Sequence, residues 1–389
     1  MATFDAERIA TNCRAQQDDM VRVLERLVVQ NSYSRHREGG EIVAGMLVEE
    51  LSAIDGVHAE LVPARDYASH VVGTTAAARE TARGAVALVG HHDTVFPPGT
   101  FEGFHVEGDI ARGPGVFDMK GGLVVCLFAL RMLAEHGLLE RLPLRFVIVS
   151  DEEVGSPEGK ALLEARLAGA ACALVFEAGR QADRIITARK GTGGLVVRAF
   201  GKPGHAGNQH RECHNAIWSL ARFVDRAQRL TDYERGVTVN VGKITGGISR
   251  NTVPGEAEAL VDIRFLSVED GERVAAELRA LADTVALEGT RIEVEGGVSR
   301  PPLVRSEANV ALFEEYAACA VAAGLGGEEC PLMGGGSDAS TTSTLGIPSI
   351  DGLGPRGAGF HTVDEKIEVS SLPMRLEALT RFLLGRIGA

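Results

Sequence analysis

Carboxylate and imidazole side chains occur in three stretches of the sequence where a ligand site could form. Residues 91–93 (His-His-Asp) and 151–153 (Asp-Glu-Glu) each follow an apolar run that is typical of a buried strand. Asp118 stands in the glycine-rich stretch 113–122, just before an apolar segment that predicts a helix. Ligands of open α/β sheets bind where the strands end, and a helix N-terminus favours negative charge. These groups therefore predict a metal site.

Two further groups extend this set. Glu177 follows the short apolar run 173–176, and His361 lies in a glycine-rich loop after a predicted strand at 347–350. Imidazole with carboxylate suits zinc, for which Co²⁺ or Mn²⁺ could substitute. Five ligands are too many for one tetrahedral zinc with an open position, but they match two Zn²⁺ ions that share one carboxylate. The candidate ligands are His91, Asp118, Glu153, Glu177 and His361.

A metal pair of this kind would supply hydrolytic chemistry. It would lower the pKa of a bridging water and polarise a carbonyl group. Glu152, next to the candidate ligand Glu153, would then be free to take the proton of the water and deliver it to a leaving amine.

Each of these groups also has a simpler interpretation. A single histidine after a strand is more often structural than a ligand, and we interpret His92 in that way. By spacing alone, Asp262 and Arg264 are better explained as a surface ion pair. The Gly-Gly-Gly stretch 334–336 could be a flexible loop or a backbone cradle that approaches a ligand closely. The occurrence of five such groups at strand ends or in glycine-rich loops favours the metal site.

The elements that must position these groups are strands that alternate with helices. Continuous apolar runs at 85–90 and 144–150 predict central strands, and the segment after Asp118 predicts a helix. This alternation is typical of an α/β fold with a mixed, mostly parallel sheet flanked by helices. We therefore assign residues 1–187 and 298–389 to one catalytic domain.

The pattern changes after about residue 188. Strands and helices now follow the order β-α-β-β-α-β, which is that of the split β-α-β, ferredoxin-like motif. We therefore predict an inserted α+β domain at 188–297. Its predicted elements are 195–200, 214–227, 237–243, 257–265, 269–287 and 291–295.

Composition excludes several classes of function. The formal net charge of −13 over 389 residues argues against binding to nucleic acid. No apolar run approaches the roughly 20 residues needed to cross a bilayer, which argues against a membrane partner. The six cysteines show no C-x-x-C spacing, and the N-terminus lacks the pattern of a signal peptide. We therefore predict reduced thiols and a cytoplasmic location.

The stretches that carry the candidate groups resemble one family over most of the chain. This is the dinuclear zinc exopeptidase family that contains aminoacylase, acetylornithine deacetylase, succinyl-diaminopimelate desuccinylase and bacterial glutamate carboxypeptidase. The matching stretches follow family order at 91–95, 113–122, 151–155, 176–177, 201–207 and 360–361. The resemblance implies a zinc exopeptidase catalytic domain whose inserted domain serves as lid and dimerisation domain.

The resemblance also assigns roles to residues. It implies that Asp93 orients the first histidine and that Glu152 is the general base. His205 matches a histidine that in dimeric members reaches into the site of the partner and helps to stabilise the oxyanion, so a homodimer is implied. For the metals, it pairs His91 with Glu177 on one zinc and Glu153 with His361 on the other, bridged by Asp118.

The substrate carboxylate is assigned by resemblance as well. Asn251 and Arg264 resemble residues that hold this carboxylate, which overrides the surface ion-pair interpretation of Arg264. The loop of Gly335, Gly336 and Ser337 resembles the one that touches the same end of the substrate. Met119, after the bridging acid, departs from the glutamate carboxypeptidase branch, which can carry an aspartate there.

These observations predict a dimeric di-zinc amide hydrolase that releases a C-terminal amino acid from an N-acyl or peptidyl substrate. Glutamate is the expected amino acid, since the stretches 334–339 and 352–355 resemble the glutamate carboxypeptidase branch. Zinc-bound hydroxide is the expected nucleophile. The alternatives are a deacylase of the acetylornithine deacetylase or desuccinylase type and, ranked below it, a non-catalytic peptide-binding relative.

Overall fold

In the computed structural model, which describes residues 6–387, the chain forms two units. The first unit comprises the residues up to Ala188, Arg305–Leu332, and the residues from Ser337. The second unit comprises Arg189–Val304 with Met333–Gly336. The start of the chain, on which the expectation of no signal peptide rests, lies outside the described residues.

The helices are distributed over both units. In chain order they are α1 (Ala6–Ala15), α2 (Gln17–Val29), α3 (Arg37–Ser52), α4 (Gly121–Glu135), α5 (Gly159–Leu167), α6 (Ala216–Gln228), α7 (Val268–Val285), α8 (Glu307–Ala322), α9 (Ala339–Thr344) and α10 (Ser371–Gly385).

The strands alternate with these helices. In chain order they are β1 (Val57–Val62), β2 (His70–Thr75), β3 (Val86–His91), β4 (His105–Glu107), β5 (Ile110–Arg112), β6 (Leu144–Val149), β7 (Cys172–Val175), β8 (Gly191–Phe200), β9 (Gly204–His205), β10 (Thr238–Gly246), β11 (Thr252–Val253), β12 (Glu256–Phe265), β13 (Arg291–Arg300), β14 (Ser349–Ile350), β15 (Gly357–Ala358) and β16 (Lys366–Glu368).

The main sheet of the first unit is mixed and mostly parallel, as the sequence predicts. Its strand order is β1-β2-β6-β3-β7-β14. The pairings β3–β6, β3–β7 and β7–β14 are parallel, whereas β1–β2 and β2–β6 are antiparallel. Strands β3, β6 and β7 are buried along their whole length, which explains their unbroken apolar runs. Helices α3, α4, α5, α8 and α9 pack against this sheet.

Helix α4 begins where the sequence predicts, directly after the stretch that contains Asp118. Its first turn lies very close to the end of β7, because a Cβ atom at Gly122 would stand 2.1 Å from the carbonyl oxygen of Phe176. Only glycine allows this approach. The beginning of α4 and the strand end that leads to Glu177 are therefore held side by side.

A smaller antiparallel sheet in the first unit has the order β15-β16-β5-β4. Strand β5 leads into the glycine-rich stretch of Asp118, and the hairpin of β15 and β16 contains His361. Pairing of β16 with β5, in which Ile367 lies opposite Ala111, therefore brings two distant parts of the sequence together.

The second unit has an antiparallel sheet with the order β10-β12-β8-β13. Together with α6 and α7 it follows the predicted β-α-β-β-α-β order of the split β-α-β motif. Alternating side chains of β8 and β12 are buried, and they form an apolar core with residues of both helices. Strand β10 is at an edge of the sheet.

Some element boundaries differ from the sequence-based expectation. The strand expected at 347–350 contains only Ser349 and Ile350, since Pro348 has no backbone N–H for a ladder bond. The second unit continues past residue 297 to Val304. Within the described residues, no helix is both long and apolar enough to cross a membrane.

Candidate metal centre

Three neighbouring strands of the main sheet end at the candidate site. Strand β3 lies between β6 and β7, parallel to both, so that the three carboxyl ends lie at one edge of the sheet. His91 is the last residue of β3, Glu153 lies in the turn after β6, and Glu177 follows β7. These are the ends at which the sequence places the chemistry.

The other two candidate ligands lie next to strands of the small sheet. Asp118 lies between β5 and α4, and His361 lies in the hairpin of β15 and β16. His361 has a positive φ of 62°, a conformation that few residues other than glycine adopt. The local backbone is thus unusual at the point where the imidazole enters the site.

The five candidate ligands are in contact with one another. One oxygen of Asp118, Oδ1, lies 3.4 Å from Nε2 of His91, and the other, Oδ2, lies 3.3 Å from Nε2 of His361. Nε2 of His361 is also 3.1 Å from Oε2 of Glu153. Nε2 of His91 is 3.8 Å from Oε1 of Glu177. Asp118 therefore stands between two histidine–glutamate pairs.

The electrostatics of this cluster fit a cation. Burial raises the pKa of Glu153 to about 7, and the nearby Asp118 carboxylate contributes to the shift. Burial likewise raises the pKa of Glu177 to about 7. Nε2 of His91 and Oδ1 of Asp118 are buried without a hydrogen-bond partner. Buried acids and unpartnered donor atoms of this kind are what a divalent metal ion would satisfy.

Asp93 fixes the first histidine and the acidic turn together. Nδ1 of His91 is 3.1 Å from the backbone oxygen of Asp93 and 3.3 Å from its Oδ1. The same carboxylate accepts the backbone N–H groups of Glu152 and Glu153, at 3.1 and 3.2 Å. Ser34 donates its hydroxyl proton to Asp93 Oδ2 at 2.6 Å. Asp93 can therefore orient the imidazole so that Nε2 faces the cluster.

Glu152 lies at the edge of the cluster. One of its carboxylate oxygens lies within 4.8 Å of ligand atoms of His91 and Glu177. Its side chain is half-buried, whereas His91 and Glu177 are buried. A carboxylate in this place can exchange a proton with a molecule bound beside the cluster.

In the second unit, the structure brings His205 and Asn251 together. Strand β9, which contains His205, pairs with β11, and the backbone oxygen of Asn251 accepts the N–H of Ala206 at 2.9 Å. Nδ1 of His205 accepts the N–H groups of Gly207 and Asn208, each at 3.2 Å. The neutral ring then carries its proton on Nε2, which is a hydrogen-bond donor on an exposed side chain.

Arg264, also in the second unit, forms the ion pair that spacing suggests. Its Nε and Nη2 donate to the two oxygens of Asp262, at 2.8 and 2.7 Å. Its Nη1 donates to the backbone oxygen of Gly334 at 3.1 Å. The adjacent Gly335 accepts a bond from Arg189 at 3.0 Å. Both arginines therefore contact the glycine-rich loop that resembles a substrate loop.

Ser337 belongs to the first unit, unlike the two glycines before it. Its side chain is buried, and its hydroxyl donates to Oδ2 of Asp351 at 2.6 Å. The hydroxyl is thus already engaged within the protein.

Sequence reasoning missed Glu365, which organises the candidate centre. This buried carboxylate accepts the backbone N–H groups of Gly115, Phe117 and Asp118, at 3.2, 2.9 and 2.9 Å. Its position four residues after His361 was visible in the sequence. An acid in an exposed-looking Thr-Val-Asp-Glu segment carries no signal of burial, however.

Comparison with known families identifies the same region of the chain. The family described as peptidase family M20/M25/M40 matches residues 87–385. This range includes all five candidate ligands, Glu152 and the whole second unit.

Individual relatives include a carboxypeptidase and an acyl-group hydrolase. Carboxypeptidase G2 of Pseudomonas sp. (strain RS-16) is 29% identical over 379 residues, which cover 95% of this chain and 89% of that protein. Succinyl-diaminopimelate desuccinylase of Psychrobacter sp. (strain PRwf-1) is 26% identical, and the alignment covers 98% of this chain and 98% of that protein. The solved structure of a tripeptidase from Staphylococcus aureus has a TM-score of 0.79 at 22% identity, covering 96% of this chain and 99% of that chain. This last likeness confirms the fold.

Proposed function

The chain belongs to peptidase family M20/M25/M40, and from this membership we propose that it is a di-zinc amide hydrolase. Its reaction is the release of a C-terminal amino acid, with glutamate as the leading candidate, from an N-acyl or peptidyl group. The observation that carries the proposal is the position of Asp118, whose two oxygens face His91 and His361 separately. A carboxylate placed in this way suits a ligand shared by two ions.

The shortest contacts suggest how the residues would hold two ions. His91 and Glu177 would serve one ion, Glu153 and His361 the other, and Asp118 both. Imidazole and carboxylate donors fit Zn²⁺, with Co²⁺ or Mn²⁺ as substitutes. When bound, the metal pair supplies Lewis-acid chemistry that makes water more acidic and polarises the amide carbonyl.

Glu152 is the proposed general base. Asp93 holds the backbone N–H of Glu152, so the turn is anchored while the side chain stays half-buried beside His91. The carboxylate would accept a proton from the attacking water and then donate it to the nitrogen of the leaving amino acid. Because Glu152 is not among the five ligands, its replacement should affect this proton transfer more than the retention of metal.

His205 is the proposed oxyanion donor from a second copy of the chain. Its Nε2–H is free to donate because Nδ1 is engaged by two backbone N–H groups. Donors aimed at a developing oxyanion stabilise the transition state of amide hydrolysis. If the donor comes from the partner subunit, the active form is a homodimer.

An exposed apolar patch on the second unit supports this dimer. Strand β10 is an edge strand, and Ile244 on it is exposed. Trp218 on α6 is 63% exposed, and Ile248 after β10 is 89% exposed. Ile217, next to Trp218 on α6, lies beside Gly246 at the end of β10, since a Cβ atom there would stand 3.1 Å from its side chain. A strand edge with exposed apolar side chains near it is a surface that a second copy could cover.

The substrate carboxylate would be held by Arg264 with Asn251 and the backbone of Gly335 and Gly336. A guanidinium group matches a carboxylate through its two parallel N–H donors. In this structure the same donors bind Asp262, so a substrate would share or replace that partner. The hydroxyl of Ser337 donates to Asp351, so the contribution we propose for this residue is its backbone.

A deacylase is the second candidate. It is favoured by the succinyl-diaminopimelate desuccinylase relative, which aligns over 98% of the chain. In that case the same centre would release an acyl group such as succinate or acetate from an amino acid. The chemistry of the five ligands and Glu152 would be unchanged.

Metal content and substrate release test these proposals together. Protein purified without added metal would be analysed for Zn²⁺, then assayed with zinc restored on N-acyl-glutamates, dipeptides and N-succinyl or N-acetyl amino acids. We expect about two ions per chain and release of glutamate. Two ions with preferred release from succinylated or acetylated amines would support the deacylase. Less than one ion after reconstitution would contradict the metal centre.

A further inference from the structure

Three loops of the candidate metal centre meet at the ring of Phe360. Its centroid is 5.4 Å from that of the His361 ring and 6.2 Å from that of Phe117, the residue before Asp118. The guanidinium carbon of Arg180 lies 5.6 Å from the same ring. Arg180 comes three residues after Glu177. The positive charge of Arg180 therefore lies beside the loops that carry the candidate ligands Asp118 and His361.

The loop that holds Arg180 is fixed by close backbone packing. Gly179 donates its N–H to the oxygen of Pro355 at 3.2 Å, and a Cβ atom at Gly179 would stand 2.3 Å from that oxygen. Pro355 lies in the segment that leads to Phe360. This contact holds the loop of Arg180 next to the segment that leads to Phe360.

Arg180 lacks an acidic partner in the part of the chain that the structure describes. Among residues 6–387, no carboxylate pairs with its guanidinium group, and its Nε is buried without a hydrogen-bond acceptor. By contrast Arg184, four residues further along the chain, donates to Glu328 at 2.9 Å. An arginine has five N–H donors, and a buried donor without an acceptor costs free energy. Such a group is suited to receive an anion.

The charge balance around the centre points to what that anion is. The acids of the centre, Asp118, Glu153 and Glu177, are the proposed metal ligands, and each faces a histidine. Their positions are therefore occupied, and among residues 6–387 none of these three acids pairs with Arg180, which leaves its guanidinium group available to an external anion. A planar carboxylate matches the guanidinium fork, and the neighbouring Phe360 is 44% exposed, so such a group could reach this place from solvent.

We propose that Arg180, stacked on Phe360, is a subsite for a second carboxylate of the substrate, in addition to the one assigned to Arg264. This inference rests on the proposed function and refines it. The preferred substrates would be dicarboxylic: either the released amino acid or the acyl group carries an acidic side group. Arg180 would then be a specificity-determining residue.

Matched substrate pairs test the proposal on the zinc-loaded enzyme. One pair is N-acetylglutamate and N-acetylglutamine, and the other is N-succinylalanine and N-butyrylalanine. In each pair the first member has an additional carboxylate. We expect Arg180→Gln to lower kcat/KM for at least one acidic substrate by about tenfold or more, through KM, because a charge-assisted bond is lost. The neutral partner of that substrate should change less than about twofold, since it never made that bond. The pair that responds identifies which side of the amide bond the subsite serves.

Two variants control this experiment. Arg180→Lys keeps the charge but loses the planar fork, so it should retain part of the preference. Arg184→Gln removes a nearby arginine that is paired elsewhere, and the preference should stay as in the wild type. Inhibition by glutarate and by its monoamide gives a second readout. Arg180→Gln should weaken inhibition by glutarate and leave inhibition by the monoamide unchanged.

The outcomes separate the two levels of inference. No hydrolysis of any substrate by the zinc-loaded wild type would contradict the proposed function. Hydrolysis without preference for the acidic member of either pair would overturn the role of Arg180. Equal losses on acidic and neutral substrates in Arg180→Gln would also overturn it, since they would indicate a general effect on the metal centre.

Discussion

The carboxylate of Glu365 accepts the backbone N–H of Asp118 at 2.9 Å, across 247 residues of sequence. The same oxygen accepts the N–H of Phe117 at 2.9 Å. Glu365 lies in the hairpin that carries His361, so one short segment provides a candidate ligand and also holds the loop of Asp118, the proposed shared ligand. The two oxygens of Asp118 can face two histidines because this backbone is fixed.

We therefore expect Glu365→Gln to weaken metal binding. Glutamine keeps the size of the side chain but directs an NH₂ group toward backbone N–H donors. A buried donor that loses its acceptor costs about 1–3 kcal/mol, so the free energy of unfolding should fall by this amount. Competition with a chelating dye measures metal affinity, and urea unfolding of the metal-free protein measures stability.

Glu368→Gln is the matched control for that change. It lies in the same segment, and its carboxylate is 3.9 Å from Arg356 and partly exposed. Metal affinity should stay at the wild-type level in this control. The interpretation of Glu365 fails if Glu365→Gln also binds metal as tightly as the wild type does.

Glu152→Gln should keep metal and lose turnover. Glutamine cannot accept a proton from water, and general-base catalysis typically contributes about 10²–10⁴-fold in rate. We therefore expect this variant to retain the metal content of the wild type and to have a strongly reduced kcat. Glu140→Gln, which changes an exposed acid of the same unit, is the control. Near-normal kcat in Glu152→Gln would remove Glu152 from the mechanism.

Mixing two inactive variants tests whether His205 acts across a dimer. His205→Ala removes the proposed oxyanion donor, and Glu152→Gln removes the proposed general base. In a mixed dimer, the site that keeps Glu152 would receive His205 from the other subunit. Activity should thus appear after the two variants are unfolded, mixed and refolded together, although neither is active alone. If both residues act within one subunit, mixing will restore nothing.

Disruption of the apolar patch gives an independent test of the dimer. Ile248→Asp places a charge on a side chain that is 89% exposed, so the fold should tolerate it. We expect a monomer in sedimentation analysis, with metal content preserved and activity reduced. A dimer of unchanged stability would place the contact elsewhere.

Asp183 makes the first unit sensitive to acid. It accepts bonds from Arg356 at 2.9 and 2.6 Å and from the fully buried Arg375 at 3.0 Å. Although burial opposes the charge, the hydrogen bonds of Arg356 and the charge of Arg375 hold the pKa of Asp183 below its ordinary value. A lowered pKa in the folded state means that this stabilisation is present above the unfolded pKa, about 3.9. It is lost as the pH falls through the folded pKa.

Asp183→Asn should therefore destabilise the protein at neutral pH and much less in acid. Loss of one partner of a buried ion pair costs about 3–5 kcal/mol, because Arg375 keeps its charge. Urea unfolding from pH 7 to a pH below the folded-state pKa of Asp183 measures the difference from wild type. Glu328→Gln, which breaks the exposed pair with Arg184, should cost at most about 1 kcal/mol. A constant difference at all pH values would contradict the assignment to Asp183.

The chemistry-bearing positions were accessible from sequence because they follow local rules. Unbroken apolar runs predicted β3, β6 and β7, and parallel strands place the residues after them at one edge of a sheet. His91, Glu153 and Glu177 could thus be grouped without a structure. The order of elements in the second unit was likewise a local pattern.

The contacts that tune these positions depend on tertiary structure. Glu365 has the local sequence of a surface turn, and only the pairing of β16 with β5 buries it under the loop of Asp118. The packing of Gly179 on Pro355 holds the loop of Arg180, whose Nε is buried without an acceptor among residues 6–387. Sequence by itself indicated the five candidate ligands and Glu152, because strand ends and glycine-rich loops are recognised from local patterns. Tertiary structure decided how they are oriented and buried, because their contacts join separate segments, from Asp93 with Glu152, 59 residues apart, to Asp118 with Glu365, 247 residues apart.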